Sequence, residues 1–371
     1  MTEPSHSSTF EKAIAVNPIG DNTYSAYLDP SWSVGKVPHG GYTASVLYRT
    51  AATHFTQLAT TKNRWGARSP EPIALQITFQ RRTFAGPAIL KAQEIKLGAR
   101  ISTIQVTLFQ ARDERAATAG SKTNAPEKSE LEEKVFAFIT LAPPVTEEGP
   151  AVKGPWGNHL SPAPAPGSLS GGSIDFKALA ENGMDGDWKS GPHAPPAIHA
   201  AQHLKVYSPS STLLPKTVEE RATQVVDQWV QFTPGGTPAR WSNEAVSYLA
   251  DSFLAGLDRI GAMEETRLVA TGESAGPSRD GNAVRLTTNL GLGKFWYPTV
   301  TMNIDLKTRL PPQGVEWLHS RVMTRMVRGS RADLEVLIFD QEGELVATST
   351  QIALAVDPTR NTKGRLDGGK L

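Results

Sequence analysis

Cysteine is absent from the 371 residues, and that gap removes disulfides, thiolate metal sites and a cysteine nucleophile together. It suits a reducing compartment. Net charge is almost absent as well. Lys+Arg 38 against Asp+Glu 37 leave +1, with no long basic run, so neither nucleic acid nor an anionic membrane has electrostatic support as a partner. Long apolar runs are missing too. The longest, such as Val135 to Ala142, fall far short of the roughly 20 residues that a membrane-spanning helix needs. Residues 1–10 lack the charged-then-apolar layout of a secretory signal. The expectation is a soluble, cytoplasmic protein. The terminal Gly369-Lys-Leu371 only faintly resembles a peroxisomal address, because its first residue is atypical.

What is present is a repeated order of elements. The stretch Trp32-Ser-Val-Gly-Lys-Val-Pro-His-Gly-Gly-Tyr42 runs into Thr43–Phe55, where Ala44, Val46, Leu47, Ala51, Ala52 and Phe55 recur at helical spacing. Pro38 pushes the residue before it to extended geometry, so the helix starts after it, at about His39. Before it, Phe10–Val16 and Asn22–Leu28 read as short strands. After it come strand candidates at 73–81, 88–97, 101–109 and 135–141, with a charged insertion, Arg112 to Lys134, before the last. The second half replays this order. A strand at 224–232 leads through Pro234-Gly-Gly-Thr-Pro238 into a helix from about Asn243 to Ile260, then strands at 297–308, 315–327, 332–339 and 345–356.

In places the replay is visible residue by residue. Leu75-Gln-Ile-Thr-Phe-Gln-Arg-Arg resembles Met302-Asn-Ile-Asp-Leu-Lys-Thr-Arg, and Gly98-Ala-Arg resembles Gly329-Ser-Arg. Between the halves, residues 143–216 hold 12 of the 27 prolines together with Gly/Ser clusters. That composition supplies no core of its own and reads as a surface connector. The resulting division is 10–142, the connector 143–216, and 217–357. Strand, helix and four long strands, twice over, imply an α+β protein of two antiparallel sheets, each wrapped around one long helix.

That order resembles the hot-dog fold, and the tandem resembles the double hot-dog acyl-CoA thioesterase II family. The resemblance is carried by Pro38-His-Gly-Gly-Tyr-Thr-Ala, by Ser247-Tyr-Leu-Ala-Asp251 and by Leu345-Val-Ala-Thr-Ser-Thr-Gln351. It covers nearly the whole chain outside 143–216 and implies a tandem (double) hot-dog that hydrolyses acyl-CoA or related acyl thioesters with no metal or organic cofactor. It implies a catalytic water held by Asp251 and Gln351, with the family's strand hydroxyl falling on Asn303 and Thr301 as the nearby substitute. The start of the first helix, His39, Gly40, Gly41 and Tyr42, is the expected oxyanion and substrate-binding turn, since unpaired N–H groups there can receive an oxygen. The matching place in the first helix is near Arg49 rather than an acid, so one site per chain is expected. The reading is compatible with a homo-oligomer.

The residues alone leave other readings open. On a helical wheel the apolar face of 243–260 is Ala245, Val246, Leu249, Phe253, Leu257 and Ile260, and Asp251 lies opposite with Glu244, Ser247 and Asp258 as a solvated acid. His39 reads as a residue that caps or shapes its turn. Gly272-Glu-Ser-Ala-Gly276 fits the G-x-S-x-G pattern of serine esterases, with Ser274 as nucleophile and His319 downstream. That elbow needs a strand before the serine and a helix directly after it, whereas Pro277-Ser-Arg-Asp-Gly281 is turn chemistry. A non-catalytic hot-dog module that binds acyl groups is the other alternative. A hydratase of this fold would need His and Asp paired on the helix, and the second helix has no His.

Overall fold

In a computed structural model, the described residues are 9–62, 65, 69–112, 131–144, 160, 167, 174–191, 197–210, 225–252 and 295–362. In chain order the first half holds α1 (Thr9–Ala13), β1 (Val16–Gly20), β2 (Thr23–Leu28), β3 (Ser33–Val34), β4 (Val37–Pro38) and α2 (Gly40–Lys62). These are followed by β5 (Glu71–Phe79), β6 (Gly86–Lys96), β7 (Ser102–Ala111) and β8 (Leu131–Ala142). Then come α3 (Phe176–Asn182), β9 (Met184–Asp185), β10 (Trp188–Ser190) and β11 (Leu204–Pro209). The second half holds β12 (Val226–Phe232), α4 (Asn243–Ala250), β13 (Thr299–Leu306), β14 (Trp317–Arg328), β15 (Arg331–Phe339), β16 (Leu345–Leu354) and α5 (Thr359–Thr362).

Fourteen of the strands form one sheet in the order β1-β2-β6-β7-β8-β5-β13-β16-β15-β14-β12-β11-β10-β9, and every ladder in it is antiparallel. Read outward from its middle, β5-β8-β7-β6-β2 mirrors β13-β16-β15-β14-β12. The two strands that looked alike in sequence are therefore neighbours at the seam, with Leu75 opposite Ile304 and Ile77 opposite Met302. This is the α+β double hot-dog architecture, with the two sheets continuous. Alternation along the strands turns one face of the sheet onto the helices. Leu47, Ala51 and Phe55 of α2, Val246 and Leu249 of α4, and Leu75, Ile304 and Val336 of the strands belong to one buried cluster.

Three local readings change. Helix α4 stops at Ala250, with Asp251 as its C-cap, short of the expected Ile260, and residues 253–260 lie outside the described residues. The other two changes are at the start of the chain and in the stretch between the halves. Phe10, Ala13 and Ile14 are buried at helical spacing, so this stretch begins with α1 instead of a strand, its Phe10 ring 5.2 Å from Trp32 and 5.1 Å from Phe232. The Pro/Gly/Ser-rich stretch also does more than connect. It adds β9–β11 to the edge of the sheet and lays an apolar cover of Leu179, Trp188 and Tyr207 over Trp229 and Trp317, on the side of the sheet away from α4. A few large side chains supply there what average composition hides. No described helix is long and apolar enough to cross a membrane.

Candidate active site

The two helices meet where α2 begins and α4 ends. Gly40 and Gly41 make that approach possible. A Cβ on Gly41 would stand 2.7 Å from the Tyr248 carbonyl oxygen and 2.8 Å from Asp251 Cβ, and one on Gly40 would stand 2.6 Å from Asp251 Oδ2. The helices run antiparallel: Ser45 Oγ donates to the Glu244 carbonyl (2.8 Å), and Arg49 pairs with the Glu244 carboxylate at 2.6 Å. The side of α4 that the wheel gave to solvent is thus pressed against α2. Ser247 is fully buried and Asp251 only 4% exposed. The wheel alone places Asp251 outside, against the role the family resemblance implies for it, because a wheel shows periodicity and cannot show a second helix.

Asp251 is the residue that ends α4. Its Oδ2 accepts the Gly41 N–H at 2.8 Å, and its Oδ1 accepts the Thr299 hydroxyl at 3.0 Å. The carboxylate therefore sits on the positive end of α2, where unpaired amides and the helix dipole favour a negative charge. Burial pushes its pKa up from 3.8, opposed by His39, by the Thr299 hydroxyl and by the Gly41 and Gly40 amides. His39 Nε2 lies 3.7 Å from the same Oδ2. Burial holds the imidazole below its ordinary 6.5 against the pull of Asp251, so it is neutral at neutral pH.

His39 also shapes its turn. Its N–H donates to the Trp32 carbonyl (2.9 Å) and its own carbonyl accepts from both the N–H and the hydroxyl of Thr43. Its Nδ1 is buried and has no hydrogen-bond partner among the described residues. Gln351 is 2% exposed on β16, and its amide donates to the Ala250 carbonyl at 2.5 Å and to Ser349 Oγ at 3.2 Å. Its Oε1, also buried, is left without a partner among the described residues. A cleft of about 250 Å³ opens beside this group, with His39, Gly40, Asp251 and Thr299 in its wall and Phe79 and Trp296 among its apolar lining.

Several expected residues lie elsewhere. Asn303 is on the outer face of β13, exposed, with its amide on Thr350 Oγ1 (3.3 Å). Thr301 shares that face, opposite Ile352, which is 39% exposed. Thr299 would follow the same alternation but for a register shift between it and Thr301, which sets Thr299 opposite the buried Ala353. A bulge re-aims a side chain in this way. The hydroxyl that meets Asp251 is therefore Thr299, a residue the sequence reading passed over, and strict alternation gives no sign of it. Tyr42 also turns away. It is fully buried, donates to the Ala13 carbonyl at 2.7 Å, accepts the Asp29 N–H at 3.0 Å and stacks on Trp32, a pillar of the first half's core. The Gly41 amide, expected to hold an oxyanion, is donated to Asp251.

Residues 272–276, with Ser274, lie outside the described residues. His319 is wholly buried among Trp188, Trp229 and Phe339, 3.5 Å from Asp227, in a sheet whose ladders are all antiparallel, and among the described residues that sheet offers no strand-to-helix elbow of the α/β-hydrolase kind.

Comparison with known proteins gives matches along most of the chain. A family model for the acyl-CoA thioesterase N-terminal domain matches residues 28–123, and one for the acyl-CoA thioesterase C-terminal domain matches residues 177–355, thus reaching back over α3 and β9–β11. The thioesterase-like protein TwmA of Talaromyces wortmannii is 31% identical over 363 residues, spanning 96% of this chain and 94% of its own. Among solved structures, a candidate thioesterase II from Thermobifida fusca YX aligns with a TM-score of 0.59 at 19% identity, over 94% of this chain and 98% of its own. Acyl-CoA thioesterase II TesB2 from Mycobacterium marinum aligns with a TM-score of 0.51 at 14% identity, over 95% and 99%. Both structural likenesses are likenesses of fold.

Proposed function

Because this chain belongs to the acyl-CoA thioesterase family of double hot-dog proteins, we propose that it hydrolyses acyl-CoA or related acyl thioesters in the cleft beside Asp251, with a water activated by that carboxylate. The observation that carries this reading is the placement of one buried carboxylate between the start of α2 and the Thr299 hydroxyl, on the wall of an otherwise largely apolar cleft. A thioester is already activated, so its hydrolysis needs little more than a positioned water, an acceptor for its proton and stabilisation of the oxyanion.

Asp251 takes the water's proton as the oxygen attacks the carbonyl carbon. A carboxyl held above its ordinary pKa by burial is a stronger base than an exposed one. Thr299 and the Gly41 amide fix the carboxylate. Gln351, whose amide donates to the carbonyl of Ala250 next to Asp251, keeps a buried Oε1 without a partner among the described residues, the acceptor this reading assigns to the water's second hydrogen. With the Gly40 and Gly41 amides on Asp251, the positive end of α2 acts through that carboxylate, holding it in place beside the cleft. When the C–S bond breaks, the sulfur leaves as thiolate or collects the proton from Asp251, and neutral His39 at 3.7 Å is placed to relay it. Arg81 and Arg82 also line the cleft, a cationic rim suited to the phosphates of a CoA thioester.

Thiol release from a panel of acyl-CoA esters of increasing chain length tests the reading. Turnover that survives chelators and prefers thioesters to oxygen esters supports it. Binding without release on every ester would return the protein to a non-catalytic acyl-binding role.

A further inference from the structure

The hairpin formed by β3 and β4 is one wall of the cleft: Val34, Val37 and Pro38 line it, and Pro38 passes directly into His39. Two strands of two residues each, turning at Gly35 with φ +59°, make too short a ladder to hold a shape alone. Part of the support comes from the stretch before β11, through an isolated bridge between Val34 and Ile198 and the Gly35 N–H on the Ala197 carbonyl (2.7 Å).

The rest comes from the far end of the chain. Asn361, in α5, is fully buried, donates from Nδ2 to the Val34 carbonyl (2.8 Å) and accepts the Lys36 N–H at Oδ1 (2.9 Å). Its amide group thus serves both backbone groups at the hairpin's tip, as a neighbouring strand would. A Cβ on Gly35 would stand 2.2 Å from Asn361 Oδ1, so the tip and the clamp are fitted to each other.

The same terminal segment reaches the other walls. Val356 and Trp296 exchange backbone hydrogen bonds of 2.9 Å, and Trp296 lines the cleft. Arg82, on a third side, donates to the Arg360 carbonyl at 3.5 Å. Asp357 caps the turn between these contacts, accepting the Thr359 N–H (2.8 Å) and hydroxyl (2.6 Å).

We propose that residues 356–361 brace the cleft and that Asn361 is a positioning residue, setting the separation of the apolar walls that receive the acyl group next to the scissile carbonyl. This rests on the thioesterase reading of the cleft. Asn361 touches no reacting atom. It acts through Val34, Val37 and the approach to His39, so its loss should appear in binding of the acyl part before it appears in the chemical step.

The experiment compares the full-length protein with Asn361→Ala and Asn361→Asp, the latter keeping an acceptor for Lys36 while losing the donor to Val34. Amide hydrogen exchange over residues 33–39 should speed up about tenfold in the alanine variant, with a smaller change in the aspartate one. With octanoyl-CoA, KM should rise about tenfold and kcat stay within about threefold in the alanine variant, with Asn361→Asp in between. An unchanged KM beside faster exchange, or a fall in kcat alone, would overturn the proposal with the thioesterase reading intact. If the wild type releases no thiol from any acyl-CoA, that reading fails on its own. The brace is then tested by the Kd for a non-hydrolysable octanoyl-CoA thioether, which an unchanged value in Asn361→Ala would sink.

Discussion

At the scale of single residues, Asp251 is held by opposing effects. The Gly41 amide, the Thr299 hydroxyl and His39 favour the carboxylate, and burial disfavours it and prevails, raising its pKa. An acid with a raised folded pKa contributes stability that is fully present below the unfolded value and is lost as pH rises through the folded one. Near pH 7 the charge is thus a burden on the fold that chemistry requires. Asp251→Asn should lower turnover by about 10²-fold or more, the usual worth of a positioned base, while its urea midpoint at pH 7 rises. The acid limb of the wild-type kcat/KM profile should lie above 3.8, since activity falls as this carboxyl protonates.

Thr299 gives the companion test. Thr299→Val keeps the shape and removes the hydroxyl on Oδ1, so activity should drop about tenfold, the worth of one charge-assisted hydrogen bond. Asn303→Ala, on the outer face, should change activity less than twofold by the measure of ordinary surface substitutions. Equal effects in the two variants would show that the bulge does not select the functional hydroxyl. Sequence could point to Asp251 only through the motif around it, and it could not point to Thr299 at all. A one-residue slip in a strand leaves no trace in the pattern of Thr and Val.

At the scale of elements, the site depends on how closely α2 and α4 approach. Small residues at a crossing let backbones touch, and here they bring the positive end of one helix to the acid at the end of the other. Gly41→Ala places a Cβ 2.7 Å from a backbone oxygen that has nowhere to move. Overpacking of this kind costs about 1–3 kcal/mol, readable as a lower urea midpoint. Because Asp251 is carried on the displaced helix, kcat should fall with it. The long strands were legible because their alternation is strong, and β5 to β8 and β13 to β16 fall within a few residues of where the pattern puts them. The inward side of α4 was not legible, because its polar residues are satisfied by a partner helix: Glu244 by Arg49, Asp251 by Gly41.

At the scale of the whole molecule, the internal repeat announced a doubled fold, and the likeness of 75–82 to 302–309 marked the strands that pair at the seam. The Pro-rich stretch hid its contribution, which includes His203. That ring stacks on Trp32 at 3.8 Å from the first half, and its Nδ1 accepts the Gly235 N–H (3.0 Å) from the second. Its Nε2 must then carry the proton shared with the Ser31 carbonyl at 2.8 Å, so the bridging form is neutral. Burial pushes His203 below 6.5, against the Ser31 carbonyl and Asp29, while nearby His199 adds to the lowering. A base with a depressed folded pKa binds fewer protons folded than unfolded. Its contribution is fully present above 6.5 and is lost as pH falls from 6.5 through the lowered value. His39 acts in the same sense, as does His319, driven down to about 3, whereas Asp251 and Glu244, both raised by burial, act in the opposite one. The net slope of stability with pH mixes these, so the comparison that isolates the bridge is between variants. In His203→Gln the side-chain amide can still donate to one neighbour and accept from the other but has no proton to gain. The loss of urea midpoint between pH 7.5 and pH 5.5 should be smaller in that variant than in the wild type, with the two proteins nearest each other at the lower pH. An equal loss in both would mean that the bridge from Ser31 and Trp32 to Gly235 is not held by a neutral imidazole.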